Sequence, residues 1–142
     1  MTPAEFVKLL LTEPSSAPFT DPSDEGSWPC YVSHLPDGQD VENNCGVVYD
    51  TAGAVNMVLL DNAHIIDDGF QLTVRSLDYQ AGWEKAKVAF DYLAGLAKGA
   101  VESNFELVNM RLTSTVLAIG LEPGTERRHL FTLNGLVKLK ET

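Results

Sequence analysis

The amino-acid sequence predicts an α+β fold, in which one long and one short helix pack on a mixed, mostly antiparallel sheet of five to six strands. Three patterns predict it. Residues 70–74 alternate apolar and polar side chains, which is typical of a half-buried strand. Residues 79–97 then repeat apolar side chains at helical spacing. A further alternation over residues 129–139 predicts a long later strand.

The first 29 residues predict a short helix followed by a proline-rich loop. Thr2 can cap a helix over residues 3–11, and Pro3 suits the first helical position because its missing N–H is not needed there. Residues 12–29 hold four of the seven prolines, so neither helix nor strand is expected in them. We expect all of residues 1–142 to form one domain.

Two shorter segments are expected before the central strand. Residues 30–35 predict a short strand that ends at a turn over 36–39. A second strand is expected over 46–50, followed by a turn at 52–53. Residues 54–68 show no clear period, and an irregular loop is expected there.

The central strand is expected to lead directly into the long helix. Asp78 is placed to be the N-cap, and Gly99 follows the last periodic residue. The buried face is expected to comprise Tyr79, Trp83, Ala86, Phe90, Leu93 and Ala97. Strand and helix together are predicted to be structural, since they contain no recognisable reactive group.

Three strands are expected after the helix. Residues 106–112 and 115–121 predict two of them, joined at 113–114, and a polar loop follows. The last strand contains Asn134 and Gly135, a pair that also favours a hairpin turn. Because the alternation continues in phase across this pair, one unbroken strand is preferred.

Composition indicates an ordinary globular chain, with 44% apolar and 21% charged residues. No apolar run approaches the roughly 20 residues that span a bilayer, so no membrane partner is expected. The first residues lack the basic start of a secretory signal. Cys30 and Cys45 are therefore expected to be reduced thiols, and they lack the companion histidines of a zinc site.

Charge is distributed unevenly along the chain, whose net charge is −10. Residues 9–74 contain eleven Asp and Glu and no Lys or Arg, whereas residues 75–142 contain nine basic and eight acidic residues. An acidic surface repels a phosphate backbone, which argues against tight nucleic-acid binding. Two interpretations stay open: acidic loops that maintain solubility, or a negative face lining a passage through which DNA moves without adhering.

Chemical motifs are nearly absent. Asp61, His64, Asp67 and Asp68 could hold a divalent cation, but their spacing matches no EF-hand or zinc pattern. His34 lies at a strand end without a motif partner, and no nucleophile elbow or phosphate-binding loop occurs. No enzymatic activity, metal or cofactor is predicted. Arg127 and Arg128 form a small basic spot suited either to a partner's carboxylates or to a solvated turn.

Several segments in order resemble the phage tail-terminator family, whose members are also described as minor capsid proteins. The segments are CYVSHLPD, GVVYDTAG, FQLTVRSLDYQAGWEKAKVAFDYL and HLFTLNGLVKLKE, which together extend over residues 30–140. Within them, Tyr49 to Gly53 match a Tyr-Asp-Thr-Gly-Gly-like segment, and Arg75 and Asp78 match the strand-to-helix junction. Ala52 departs from the pattern, which has glycine there.

The resemblance implies an assembly role in a virion. Such proteins form rings, commonly hexamers, on the last ring of a tail tube, where they stop polymerisation and provide the docking surface for the head connector. The implied partners are further copies of the chain, the tail-tube protein and the connector or neck protein, with DNA only as passing cargo. The implied location is the head-proximal end of the tail, after synthesis in the host cytoplasm.

Assembly contacts are then expected at loop residues and at the paired arginines. The expected set is Asp37, Asp40, Glu42, Asp50, Asp61, Asp67, Asp68, Arg127 and Arg128. Three alternatives stay open: another head–tail joining or neck protein, a small metal-dependent hydrolase using the loop with His64, and a small-ligand binding module.

Overall fold

The fold is built from two helices and seven strands, seen in a computed structural model that describes residues 1–36, 42–58, 64–96, 101–102, 104–123 and 127–141. In chain order the elements are α1 (Pro3–Thr12), β1 (Cys30–Val32), β2 (Cys45–Val58), β3 (His64–Ser76), α2 (Tyr79–Ala94), β4 (Val101–Glu102), β5 (Phe105–Leu112), β6 (Leu117–Leu121) and β7 (His129–Glu141).

The strands form one mixed sheet in the order β1-β2-β3-β7-β5-β4, and β6 also pairs with β7. Only the β1–β2 pair is parallel among the described strands, which confirms the predicted α+β class with a mostly antiparallel sheet. The two-residue strand β4 was not predicted and raises the count to seven. Asn134 and Gly135 lie inside β7 opposite Gln71 and Phe70, so the single long strand is confirmed.

Strands β5 and β6 lie one after the other along the same side of β7. Residues 129–132 of β7 pair with β6, and residues 135–141 pair with β5. The connection over residues 113–116 joins the two segments without returning the chain. The sheet therefore ends on this side in a discontinuous edge, with β4 outside the start of β5.

The β2–β3 hairpin is longer than expected, and two predictions were wrong there. No turn forms at 52–53, and the part of 54–68 that the structure describes is strand, because β2 continues to Val58 and β3 begins at His64. The pairing shifts register between Thr51 and Ala54, as at a β-bulge. A Cβ on Gly53 would lie 2.0 Å from the Asp67 carbonyl oxygen, so this glycine permits a close backbone approach rather than a turn.

Helix α1 forms where the sequence predicts it. The Thr2 side chain accepts from the Glu5 N–H, and the Glu5 carboxylate accepts from the Thr2 N–H, which is a complete capping box. Its buried face consists of Ala4, Phe6, Val7, Leu10 and Leu11. The side chain of Tyr92 in α2 donates to the Leu10 carbonyl at 2.8 Å, which fixes the two helices to each other.

Helix α2 begins as predicted, since the Asp78 side chain accepts from the Gln80 N–H at 3.2 Å. It ends earlier than expected, at a C-cap on Gly95; Ala97 and Gly99 lie outside the described residues. No helix in the described part of the chain is long and apolar enough to cross a membrane.

The buried face of α2 is shifted from the predicted one. Ala86 and Leu93 are buried as expected, but Tyr79 is 51% and Trp83 is 38% exposed. The other buried residues of α2 are Gly82 and Ala89, which are both small. Large aromatic side chains were expected inside, whereas the helix instead lies close to the sheet along small residues and leaves the two aromatic rings on its flank.

Both helices cover the same face of the sheet. Apolar side chains on that face make one core cluster, including Phe70, Leu72 and Val74 from β3 and Phe131, Leu133 and Val137 from β7. The opposite face of these two strands carries mostly polar side chains. On that face the side-chain amide of Gln71 donates a hydrogen bond to the Asn134 Oδ1 at 3.1 Å, next to the buried pair Thr73 and Thr132.

Candidate functional site

The residues of the candidate metal loop do not form a cluster in the described structure. Asp67 and Asp68 are successive residues of β3 and therefore face opposite sides of the sheet. Asp67 is buried beside Lys138 at 3.3 Å, and Asp68 is exposed. His64 contributes to the backbone of β3, and Asp61 lies outside the described residues. Within the described ranges, no three His, Cys, Asp or Glu groups are placed to hold a metal.

The predicted acidic contact residues have different environments. Glu42 and Asp50 are exposed, whereas Asp37 and Asp40 fall outside the described residues. Asp50 also has a structural role, because its side chain accepts from the Ala4 N–H at 2.9 Å. A carboxylate at the first turn of α1 is favourable to the helix dipole.

Arg75 is fully buried at the end of β3, although alternation alone places it on the polar side of that strand. Its guanidinium donates to three backbone carbonyls: those of Pro36, Glu42 at 2.6 Å and Asn43 at 3.3 Å. Both flanks of the 37–41 segment are therefore held by one side chain. Arginine suits this position because its planar group presents five fixed donors.

Glu122 joins Arg75 to Arg128. Its carboxylate lies 3.3 Å from Arg75 and 3.5 Å from Arg128, and the latter donates to the Asn43 side chain at 2.9 Å. Arg128 is buried, whereas Arg127 is exposed, so the two adjacent arginines are directed differently. Sequence reasoning missed this network, because its residues come from three segments that are far apart in the chain: Asn43, Arg75 and the pair Glu122 and Arg128.

The two cysteines are buried free thiols in adjacent strands. Burial raises the pKa of the Cys30 thiol to about 12 and that of Cys45 to about 11. Only thiolates are nucleophilic, so neither cysteine is suited to catalysis at neutral pH. His34, by contrast, is exposed at the surface.

The edge strand β6 carries three exposed apolar side chains, which we call the β6 edge: Leu117, Ile119 and Leu121. They are 60%, 51% and 48% exposed. A register shift between Ala118 and Gly120 interrupts the alternation, so Leu117 lies on the face of Thr132 and Leu121 lies on the opposite face, beside His129. No charged residue occurs over residues 113–121, and the strand pairs with β7 on one side only among the described strands. Edge strands of stable monomers are normally protected by charge, proline or a bulge, and β6 has neither charge nor proline but does have an irregularity between Ala118 and Gly120. The β6 edge therefore has the character of a contact surface.

Apolar surface continues from the β6 edge onto the flank of α2. Tyr79 contacts His129, the pairing partner of Leu121, with ring centroids 5.4 Å apart. Trp83 and Phe90 line a groove of about 150 Å³ together with Val116, which precedes β6, and with Thr115 and Lys87. The nine-residue uncharged segment thus adjoins further apolar surface. The alternation over 115–121 indicated a strand, but nothing in it could indicate which residues stay exposed.

The charge asymmetry of the sequence corresponds to an asymmetry across the sheet. Residues 9–74, which contain no Lys or Arg, supply β1, β2 and nearly all of β3, and the remaining strands come from residues 75–142. Among the residues whose burial the structure describes, which leave out 54–66, the exposed large apolar ones other than Met1 all belong to the second half. The part of the sheet formed by β1, β2 and β3 is therefore acidic. The part formed by the later strands combines exposed apolar side chains with nearly equal numbers of acidic and basic residues.

Comparison with known proteins finds no match by sequence but does find likeness in structure. No family model matches the chain. No curated protein matches it either. Among solved structures, it is similar to a chain from the virion of a native gene transfer agent particle, with 15% identity, 77% of each chain covered and a TM-score of 0.48. At that identity and score, function has to be inferred from the residues of this chain.

Proposed function

We propose that this chain is a structural virion protein, a phage tail terminator that forms a ring on the tail tube, ends tube growth and provides the surface for the head connector. The observation that carries the proposal is the β6 edge. Three exposed apolar side chains on an uncharged strand are costly to leave in water, since burial of apolar area gives about 25 cal/mol per Å². If a neighbouring copy covers the β6 edge in an assembly, these side chains are removed from water and the cost is avoided.

The rest of the surface supports an assembly role over catalysis. The thiols are buried, Asp67 is held by Lys138, and the buried polar network around Arg75 and Glu122 joins backbone segments to one another. Such a network fixes the shape of a subunit, which ring closure requires because every copy must present two faces at a constant angle.

The acidic side of the sheet has a role in the same proposal. Six copies of a chain with net charge −10 would give a strongly negative ring, and exposed acids such as Glu42, Asp50 and Asp68 would repel the backbone of DNA passing through it. If the ring has this property, it should not retain DNA at low salt. Tight DNA binding by the assembled ring would contradict this part of the proposal.

Tube growth is the decisive test. Tail-tube protein from the same genome is polymerised with and without this chain, and tube lengths are measured by electron microscopy. We expect shorter tubes that carry density for a ring at one end. Leu117→Asp should abolish the effect, whereas Val88→Asp, at a similarly exposed apolar position on α2, should not. Unchanged tube length with no binding would refute the terminator role, and binding only to the connector would indicate a neck protein.

A further inference from the structure

We propose that a second copy of this chain docks head to tail, with the acidic β1 side of one copy against the β6 edge of the next. This inference names the partner of the β6 edge and rests on the proposed function. It follows from two surfaces at opposite edges of the same sheet. The surface at the β1 edge has exposed acids, and the surface at the other edge has two exposed arginines, one on either side of the apolar β6 edge.

Two exposed arginines lie at the ends of the β6 edge. Arg111 is near the end of β5, which runs in line with β6, and Arg127 lies in the connection from β6 to β7. Neither forms an ion pair with a residue in the described ranges. An apolar centre with arginines at its rim is the usual composition of a protein–protein interface.

The complementary acids lie beyond β1. Thr20 pairs with Pro29 and accepts from the Cys30 N–H, so the loop over residues 21–27 projects beside that strand. Asp24 and Glu25 are exposed in this loop and pair with no described cation. β1 is the terminal strand of the sheet opposite to β4–β6.

Complementary charge favours this contact over the two self-pairings. Two acidic loops brought together would repel, and so would two copies of the Arg111–Arg127 surface, because like charges across an interface oppose binding. The head-to-tail contact alone places opposite charges together. Such a heterologous contact leaves an open assembly with one free surface of each kind, one at each of its two ends, so copies continue to add and a ring forms where the rotation between copies closes.

A charge-swap mixture tests the contact directly. Arg111→Glu/Arg127→Glu and Asp24→Arg/Glu25→Arg are prepared as separate double variants, and self-association is measured by sedimentation at low salt. Each variant alone should associate about tenfold more weakly than the unaltered chain, or less still, because acid would meet acid or base would meet base. Mixed together they should recover association in a one-to-one alternating assembly, because both contacts are then complementary. Glu84→Arg/Asp91→Arg, an equal change of charge on exposed α2 positions, should associate normally and should not complement either variant.

Three results would overturn the contact: normal association of either double variant, a mixture that fails to recover, or an unaltered chain that stays monomeric at high concentration and low salt. These results are distinct from failure of the terminator role. If the chain stops tube growth but the mixture does not recover, the interface is wrong and the function stands. If the mixture recovers but tubes grow normally, the interface stands and the function is wrong.

Discussion

The Glu122 carboxylate lies 3.3 Å from the guanidinium of Arg75, which has no solvent exposure. Glu122 follows directly after β6, and Arg75 holds the backbone on both flanks of the 37–41 segment. One ion pair therefore joins the residue after β6 to the arginine that holds the Pro36 and Glu42 backbone. The position of the end of β6 and the position of the backbone at Pro36 and Glu42 are therefore coupled through Arg75.

Removing the charge of Glu122 should destabilise the chain strongly. Glu122→Gln leaves Arg75 and Arg128 buried without their carboxylate, and breaking a buried ion pair in this way costs about 3 kcal/mol or more. Urea unfolding followed by circular dichroism measures this. Glu84→Gln, on an exposed part of α2, is the control and should change the free energy of unfolding by less than about 0.5 kcal/mol. Equal effects of the two changes would show that the pair contributes little.

Gly82 should not tolerate alanine, although alanine is the better helix former by about 1 kcal/mol. A Cβ at this position would lie 2.4 Å from the buried ring of Phe131 and 2.9 Å from the Ser76 Cβ. We expect Gly82→Ala to destabilise by about 1–3 kcal/mol through overpacking. Gly95→Ala is the matched control, because the nearest atom to its Cβ is at 3.3 Å, the Asp91 carbonyl oxygen. A more stable Gly82→Ala protein would show that α2 can move away from the sheet.

Asp21 should make stability depend on acid pH. Hydrogen bonds from Lys8 and Ser23 hold the pKa of Asp21 well below its usual value of 3.8. A pKa that is lower in the folded chain gives stabilisation that is complete above 3.8 and is lost as the pH falls below it. The urea midpoint should therefore drop between neutral pH and pH near 3, and Asp21→Asn should show a smaller drop. An identical drop in the variant would assign the effect to other carboxylates.

The β6 edge should matter for association and little for folding. Leu117→Ser and Leu121→Ser remove exposed apolar side chains, so we expect changes of less than about 0.5 kcal/mol in the free energy of unfolding but weaker self-association. Light scattering over a concentration series measures the latter; a closed ring of the unaltered chain would have a mass near six times 15.5 kDa. Val88→Ser, which changes a 52% exposed side chain on α2, should leave association unchanged. Loss of association in all three variants would indicate nonspecific apolar contact.

Local signals predicted the parts of the fold that depend on local physics. The Asp78 cap and the alternation before it are short-range features, and they correctly located the start of α2 and the adjoining part of β3. The hairpin beyond Thr51 was missed because register shifts interrupt the alternation, and Gly53, read as a turn residue, instead allows close contact with the facing strand.

The candidate site depended on relationships that sequence spacing does not carry. Arg75 belongs by alternation to a polar strand face, yet it is buried because Pro36, Glu42 and Glu122 converge on it from distant segments. Likewise, β6 and β5 have similar apolar content. Leu107 is buried because it pairs with Leu139 on the face beneath the helices, whereas Leu117 is exposed because it pairs with Thr132 on the other face.

The central pairing of the sheet, β3 with β7, joins segments that are separated along the chain by α2, β4, β5 and β6. During synthesis the acidic half is complete first, and one edge of β3 then lacks its partner until β7 is made. Neighbouring nascent chains could pair through that edge, but they carry eleven acids and no base over residues 9–74 and should repel one another. We expect a fragment that ends at Ala94 to remain dispersed at low salt and to aggregate when salt screens the repulsion. The same charge that suits a DNA passage would then also protect the protein while it is being made.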